Sequence, residues 1–230
     1  MRSPTNATQR TTDALVRSLT GELTPVRRLR NVNLRTALWA GLAALCVALG
    51  TLSLGPRPDL ARKLSDAGYL LESAALIAVL VSAARCAFCL GVPGIELTAL
   101  AWPVPAAAWA LWVLHVASRW SANGRVVELD AMSWVGGLPC IWRMLALALV
   151  PAATGLIMLR KAAPRQRRWV GVCMVLAACS LAMLGTQVVC ARDAAGHVLV
   201  WHAAPVAAAA LVGATLGRRI LRRSSTRSLR

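Results

Sequence analysis

The residues best suited to chemistry in this 230-residue chain are two cysteines and two histidines. Cys190 lies in the polar gap of VVCARDAAGHVLVWHAAP, between two long apolar runs, and Cys140 begins another apolar run after a polar stretch. Thiolates bind soft metal ions, and His197 and His202 follow closely enough to add imidazole ligands. Arg143 lies one helical turn after Cys140, and its charge favours a thiolate there. The pattern predicts a signal-sensing pair that binds a metal ion or forms a disulfide, with two unrelated structural cysteines as the alternative.

The elements that must position these residues are long apolar runs. Hydrophobic residues make up 57% of the chain. They collect into stretches of about 20 residues, the length that crosses about 30 Å of hydrocarbon. We therefore predict an all-α, polytopic membrane helix bundle in which residues 36–217 form the transmembrane domain. Its six transmembrane helices are expected at about 37–54, 69–90, 97–116, 138–159, 169–190 and 198–217.

The basic residues predict how this bundle is oriented. The formal net charge is +17, and 18 of the 26 Lys and Arg residues precede span one, join spans four and five, or follow span six. Because cytoplasmic segments carry the excess of Lys and Arg, both termini are expected in the cytoplasm. Cys140 and Cys190 then lie together at the opposite face, which in a bacterial inner membrane would be the oxidising periplasm. The orientation of the bundle therefore accounts for the positive charge. We expect membrane lipids as partners and no direct binding to nucleic acid.

Residues 1–35 are polar and basic, and they precede the first span as a cytoplasmic arm. From Thr12, the text TDALVRSLTGELTPVRRL predicts a short amphipathic helix, capped by Thr12 and interrupted at Gly21 and Pro25. Its apolar side chains are expected to bind a protein partner: Leu15, Leu19, Leu23, Val26 and Leu29. An amphipathic helix that lies on anionic lipid is an equally good interpretation. A basic cytoplasmic tail, residues 218–230, closes the chain.

The other cysteines fit packing better than catalysis. Three of them lie within the predicted spans, where small buried thiols are ordinary: Cys46, Cys173 and Cys179. Cys86 and Cys89 form a CxxC pair whose spacing allows redox or metal chemistry. The apolar helix around that pair offers no second pair and no carboxylate, which favours packing there as well. The chain has no nucleophile elbow, phosphate-binding glycine loop or HExxH motif, so that an enzyme is not expected.

Three ionisable residues fall within the predicted spans: Glu72, Arg85 and Arg143. Each lies near a helix end, where a long side chain can reach the membrane surface. Glu72 and Arg143 both lie about one turn below the outer surface, close enough in depth to form a pair. Transporters usually hold ionisable groups nearer the middle of the membrane, so this distribution argues against that class.

Three stretches carry a resemblance to a known family. They are TDALVRSLTGELTPVRRL, PDLARKLSDAGYLLE at the start of span two, and HVLVWHAAPVAAAALVGATLGRRILRR near the end. Together they resemble the NrsF-like family of six-span bacterial membrane anti-sigma factors, named as negative regulators of an extracytoplasmic-function sigma factor. The resemblance extends from about Asp13 to Arg223, and its most specific part is GHVLVWHAAP followed by small residues and GRR.

The resemblance implies a function that the motifs alone do not define. In that family the N-terminal cytoplasmic segment holds the sigma factor at the membrane, and two periplasmic cysteines respond to heavy metals such as chromium and cadmium. The matching positions are Cys140 in GLPCIWR and Cys190 in QVVCARD. No obligate cofactor is implied, only a transient heavy-metal ion at these cysteines. Two alternatives remain: a small transporter or metal-efflux accessory protein that uses the same cysteines, and a membrane thiol oxidoreductase that uses Cys86 and Cys89.

Overall fold

The computed structural model describes residues 5–21, 31–92, 103–123, 134–162 and 164–221, and the regular elements in these ranges are all helices. The chain divides into two units, residues 1–30 and residues 31–230. The first unit contains α1 (Thr5–Gly21). The helices of the second unit are α2 (Val32–Leu54), α3 (Leu60–Lys63), α4 (Ala67–Leu90), α5 (Val104–Asn123), α6 (Trp134–Arg160), α7 (Arg167–Val189) and α8 (Ala195–Ile220).

The last helix changes its winding near its start. It opens with one α turn, Ala195–Val198, continues as a π-helix over Leu199–Ala203, and returns to α-helix over Ala204–Ile220. The wider π turn matters because it contains His202, one of the candidate ligands.

Five helices among the described residues are long and apolar enough to cross a membrane: α2, α4, α6, α7 and α8. Each begins a few residues before its predicted start, and their length and composition are those of a membrane protein. The third predicted span, 97–116, corresponds in part to α5, which starts at Val104 and is not among the five. Residues 97–102 of that span lie outside the described part of the chain.

Helix α7 is the centre of the second unit. It packs against α8, α4, α6 and α2. Of the most apolar part of α7, 72% is buried, against 39% or less in the other four apolar helices. A helix that is apolar on all sides can be covered by protein or by lipid, and here neighbouring helices cover most of it. Any ligand at the end of α7 can therefore act on several helices at once.

Glycines allow α7 and α8 to approach closely. A Cβ atom added to Gly171 in α7 would overlap the carbonyl oxygen of Gly213 and lie 2.8 Å from the Cα of Gly217. Gly213 and Gly217 are four residues apart on α8 and form the GxxxG pattern, in which small residues let helix backbones touch within a membrane. The glycines thus fix the spacing between α7, which ends just before Cys190, and α8, which follows it.

The N-terminal helix differs from its prediction at one end. It begins at Thr5, so Thr12 lies inside the helix and does not cap it. The predicted end at Gly21 is confirmed. Leu15, Val16 and Leu19 are all at least half exposed. Leu23, Val26 and Leu29 lie outside the described residues.

Candidate functional site

Cys140 and Cys190 lie side by side. Cys140 is in the second turn of α6, and Cys190 is the residue that ends α7. Their Sγ atoms are 3.6 Å apart, and both side chains are buried. Fifty residues separate the two in sequence, so only the packing of α6 against α7 can bring them together.

Two buried histidines complete a cluster with these thiols. His197 Nε2 is 3.6 Å from Cys190 Sγ and 3.3 Å from His202 Nε2. In an α-helix two residues five positions apart point in directions about 140° apart. Here the π turn, closed by the bond from the Ala204 N–H to the Leu199 carbonyl, widens the helix between the histidines and brings both imidazoles to one face.

Two glycines at the start of α6 make room for this cluster. A Cβ atom at Gly137 would overlap the indole of Trp201 in the π turn, and one at Gly136 would overlap the guanidinium of Arg192. The Cys140 Sγ also lies 3.8 Å from the Gly136 carbonyl oxygen. Because neither glycine has a side chain, the first turns of α6 can press against the segment that carries the other three ligands.

The four side chains fit tetrahedral coordination of a divalent ion. Their ligand atoms all lie within 4.8 Å of one another. Metal–sulfur bonds of about 2.3 Å and metal–nitrogen bonds of about 2.0–2.1 Å place tetrahedral neighbours about 3.8 Å apart for S–S, about 3.6 Å for S–N and about 3.3 Å for N–N. Three of the six separations are close to these values: 3.6 Å for Cys140–Cys190, 3.6 Å for Cys190–His197 and 3.3 Å for His197–His202. Two thiolates would also neutralise the ion's charge, which a buried site requires.

The environment of Cys190 favours its thiolate form. The hydrogen bond from the Cys140 thiol lowers the pKa of Cys190 most strongly; burial opposes this, and the imidazoles of His197 and His202 lower the pKa further. The net result is a pKa well below the usual range of a thiol. Cys190 is therefore prepared to bind a metal ion or to react with an oxidant.

A small cavity adjoins Cys190 and His202. Its volume is about 20 Å³, and Glu72 and Gln187 form part of its polar lining. One water molecule needs about 10–15 Å³ measured in this way. The cavity is thus large enough for a single water or a dehydrated ion beside the two ligands.

A buried arginine holds the segment that contains Cys190. Arg57, which follows α2, donates from Nη1 to the Cys190 carbonyl at 2.9 Å and to Asp193 at 2.7 Å. Its Nε donates to Asp59 at 2.6 Å, and its backbone N–H donates to the Val188 carbonyl at 2.8 Å. Hydrogen bonds from Arg57 lower the pKa of Asp59 to about 2, so that this carboxylate stays charged. Arg57 therefore ties the α2–α4 connection to the end of α7.

A second arginine holds the same segment from α5. Arg119 donates to the Asp193 carbonyl at 2.6 Å and forms an ion pair with Glu72. The predicted pair of Glu72 with Arg143 is therefore wrong, because α5 supplies the nearer cation. Arg143 is exposed and lines a different cavity, beside Cys46. Of the residues predicted to support the sensor, His197 and His202 lie in the cluster and Arg143 does not.

Comparison of the sequence with protein-family models gives a match over residues 19–222. The matching family is described as NrsF: Negative regulator of sigma F. The chain belongs to the NrsF family. No curated protein and no solved structure matches it. Membership makes the protein a negative regulator that acts on a sigma factor, and the NrsF family is one of regulators rather than enzymes.

The NrsF match contains all four candidate ligands and both arginines that hold the Cys190 segment. The sequence revealed the ligands through their types and their positions at the ends of apolar runs. It did not reveal Arg57, whose acidic partner Asp193 is 136 residues away. The only hint in the sequence was that Arg57 precedes Asp59 by two positions, which allows the two to pair. Both lie in a loop that would otherwise be expected to be exposed.

Proposed function

We propose that this protein is an inner-membrane anti-sigma factor that sequesters an extracytoplasmic-function sigma factor and releases it on heavy-metal or thiol stress. The observation that supports this most is the buried cluster of Cys140, Cys190, His197 and His202 in a chain of the NrsF family. Four potential ligand atoms within 4.8 Å of one another give such a regulator a place where a metal ion or an oxidant could act. Both termini lie in the cytoplasm in this proposal, as the basic residues indicate.

The ligands belong to three helices, and this gives metal binding a mechanical effect. Cys140 comes from α6, Cys190 from the end of α7, and the histidines from α8. An ion bound by both cysteine sulfurs and both imidazoles would tie the three helices at one point. Oxidation of Cys140 and Cys190 to a disulfide would tie α6 to α7 alone. In both cases the signal favours one packing arrangement of the bundle over another.

The partner surface is the apolar face of the N-terminal arm. In α1, Leu15 and Leu19 are 59% and 63% exposed, an unusual state for leucines four residues apart on one helical face. We infer that they bind the sigma factor together with Leu23, Val26 and Leu29, and that nearby arginines steer the encounter. To change occupancy from mostly bound to mostly free, the signal must alter affinity by about 5 kcal/mol.

Capture from bacterial membranes tests the partner assignment. The tagged full-length protein and a variant that lacks residues 1–30, the first unit, are purified under the same conditions, and co-purifying sigma factors are identified. We expect the full chain to capture one sigma factor and the shortened chain to capture none. Leu15→Asp with Leu19→Asp is the finer variant, and it should lose capture while the exposed polar substitution Ser18→Asp retains it. Failure of intact, folded full-length protein to capture any sigma factor would refute the anti-sigma function.

A reporter of the sigma factor's regulon tests the sensor assignment. Cadmium should induce the reporter in cells that carry the natural chain and should fail to induce it in the double variant Cys140→Ser, Cys190→Ser. Cys46→Ser with Cys179→Ser is the matched control, since it removes two thiols of the same bundle and should leave induction unchanged. If induction persists in the Cys140, Cys190 variant, these cysteines are not the sensor.

Metal flux into vesicles separates this function from the alternative of a transporter. Vesicles that contain only this protein should show no uptake of cadmium above that of empty vesicles. Uptake that depends on Cys140 or Cys190 would support the transporter and count against a purely regulatory role.

A further inference from the structure

A second pair of thiols lies at the other end of the central helix. Cys86 in α4 and Cys173 in α7 have their Sγ atoms 3.6 Å apart, the same separation as in the Cys140–Cys190 pair. Both are buried, with 3% and 5% of their surface exposed. Neither residue belongs to the four-ligand cluster.

The two thiol pairs are well separated. Cys173 and Cys190 lie 17 positions apart on one helix, which corresponds to about 25 Å along its axis. Helix α7 therefore has a paired thiol near each end, one facing α4 and the other facing α6. The CxxC motif of the sequence does not produce this pair, since Cys89, its second member, is not the neighbour of Cys86 found here.

We propose that Cys86 and Cys173 form a second soft-metal site, which takes a two-coordinate divalent ion of the mercuric class. Sulfur ligands select soft ions. Mercuric ion binds two thiolates in a linear, two-coordinate arrangement, so the pair needs no further ligand. Each thiol gives its proton to solvent as its sulfur bonds to the ion, two chlorides leave when mercuric chloride is the source, and no electron is transferred.

Charge favours this ion over a monovalent one. Two thiolates and one divalent ion make a neutral complex, whereas a copper(I) or silver(I) ion with the same ligands would leave a net negative charge among apolar side chains. An uncompensated charge in such surroundings costs many kcal/mol. Mercuric chloride is itself neutral and can reach the site through the apolar part of the membrane.

The geometry requires only a small adjustment. Two metal–sulfur bonds of about 2.3 Å placed in line separate the sulfurs by about 4.6 Å, so the thiols must part by about 1 Å. A disulfide would instead require them to close to about 2.0 Å and would need an oxidant. The first change is the smaller of the two and needs no oxidant. The bound ion would then tie these two helices, independently of the sensor.

Native mass spectrometry of the full-length protein tests the proposal. The double variant Cys140→Ser, Cys190→Ser serves as the background, so that the first thiol pair cannot bind the probe. The protein in detergent receives mercuric chloride and then excess small monothiol. An ion held by two protein thiols adds the mass of one mercury less two protons, and an ion held by one protein thiol also carries a small thiol. We expect the bridged species in the background protein.

Single substitutions identify the two ligands. Cys173→Ala and Cys86→Ala should each reduce the bridged species at least tenfold, and Cys173→Ser provides a second variant should the alanine fail to fold. Cys179→Ala is the matched control, because Cys179 lies in the same helix and is as buried as Cys173. Retention of the bridged species in folded Cys173→Ala would overturn the proposal. Its loss in Cys89→Ala but not in Cys173→Ala would overturn it as well and assign mercury to the CxxC pair.

Discussion

The Nε2 atoms of His197 and His202 lie 3.3 Å apart although the two residues are five positions apart in one helix. The π turn over Leu199–Ala203 brings this about, because it acts as one extra residue in an otherwise α-helical segment. With one residue fewer, the histidines would be four apart, and an α-helix would present both on one face.

Removal of Val200 should therefore preserve metal binding. We expect the deletion to convert the π turn to α-helix and to leave cobalt(II) affinity within about tenfold of the natural chain, measured from the visible absorption of the tetrahedral ion. Insertion of an alanine after Val200 should abolish that absorption, since the histidines would then lie six apart. Loss of cobalt binding in a folded Val200 deletion would show that the π turn itself, and not the common face, is required.

Substitution of Arg57 should weaken both the fold and the site. Arg57→Ala removes hydrogen bonds to Asp59, Asp193 and the Cys190 carbonyl, and we expect a loss of about 2 kcal/mol in the free energy of unfolding. Because Arg57 positions the candidate ligand Cys190 and would not itself touch a bound ion, cobalt affinity should fall about 10–100-fold. Arg57→Lys should recover only part of either loss, since lysine cannot form the paired hydrogen bonds.

The control for Arg57 is a neighbouring arginine. The side chain of Arg62 is 81% exposed, and it meets Asp59 at 3.3 Å. Exposed pairs of this kind contribute about 0–1 kcal/mol, so Arg62→Ala should alter stability and cobalt affinity little. Equal effects of the two substitutions would contradict the assigned role of Arg57.

The lowered pKa of Cys190 predicts how the stability of the metal-free protein depends on pH. An acidic group whose pKa is depressed by folding adds stability that is complete above its unfolded pKa, about 8.5 for a thiol. That stability is lost progressively as the pH falls below this value. The midpoint of thermal unfolding should therefore decrease between about pH 9 and pH 6, and Cys190→Ser should flatten the curve.

Absorbance near 240 nm gives an independent check on the Cys190 thiolate. The natural chain at pH 7 should show more thiolate absorbance than the Cys190→Ser variant. Cys179→Ser should not differ from the natural chain. If Cys190→Ser leaves the absorbance unchanged, Cys190 is protonated at that pH.

The glycine contact between α7 and α8 predicts strong position dependence for alanine substitutions. Gly171→Ala would force a methyl group against the Gly213 carbonyl, and we expect it to destabilise the protein by about 1–3 kcal/mol. Gly41→Ala is the control, because nothing lies within 4 Å of the added atom. Alanine also loses less conformational entropy than glycine when a helix such as α2 forms. Its effect on thermal unfolding should be neutral or stabilising. Equal midpoints for the two variants would argue against close packing at Gly171.

The sequence patterns that best predicted the fold and the candidate site were those that reflect a residue's depth in the membrane. Cys140 and Cys190 each lie where an apolar run meets a polar stretch, and such boundaries lie at the surface of a bilayer. The structure brings the two thiols to within 3.6 Å, as their common face predicts. The length of apolar runs located five of the helices for the same physical reason.

Features that depend on neighbours far away in sequence were not predictable. The pairing of Glu72 with Arg119 rather than Arg143 depends on how α5 is rotated, and an apolar run contains no information on that rotation. The π turn was also hidden, because the spacing of His197 and His202 fits no regular helical face. The Cys86–Cys173 contact was obscured by the CxxC motif, which directs attention to the wrong partner of Cys86.

The cluster has one more consequence, which concerns the order in which the chain is made. The ribosome produces residues 1–35 first and His202 near the end, so the arm exists well before the last ligand. If the arm binds a sigma factor as proposed, it can do so during synthesis, before all four candidate ligands exist. A chain that ended before α8 would then still bind the sigma factor but would lack His197 and His202. In the proposed mechanism, the ability to respond to metal is therefore acquired only after the ability to repress.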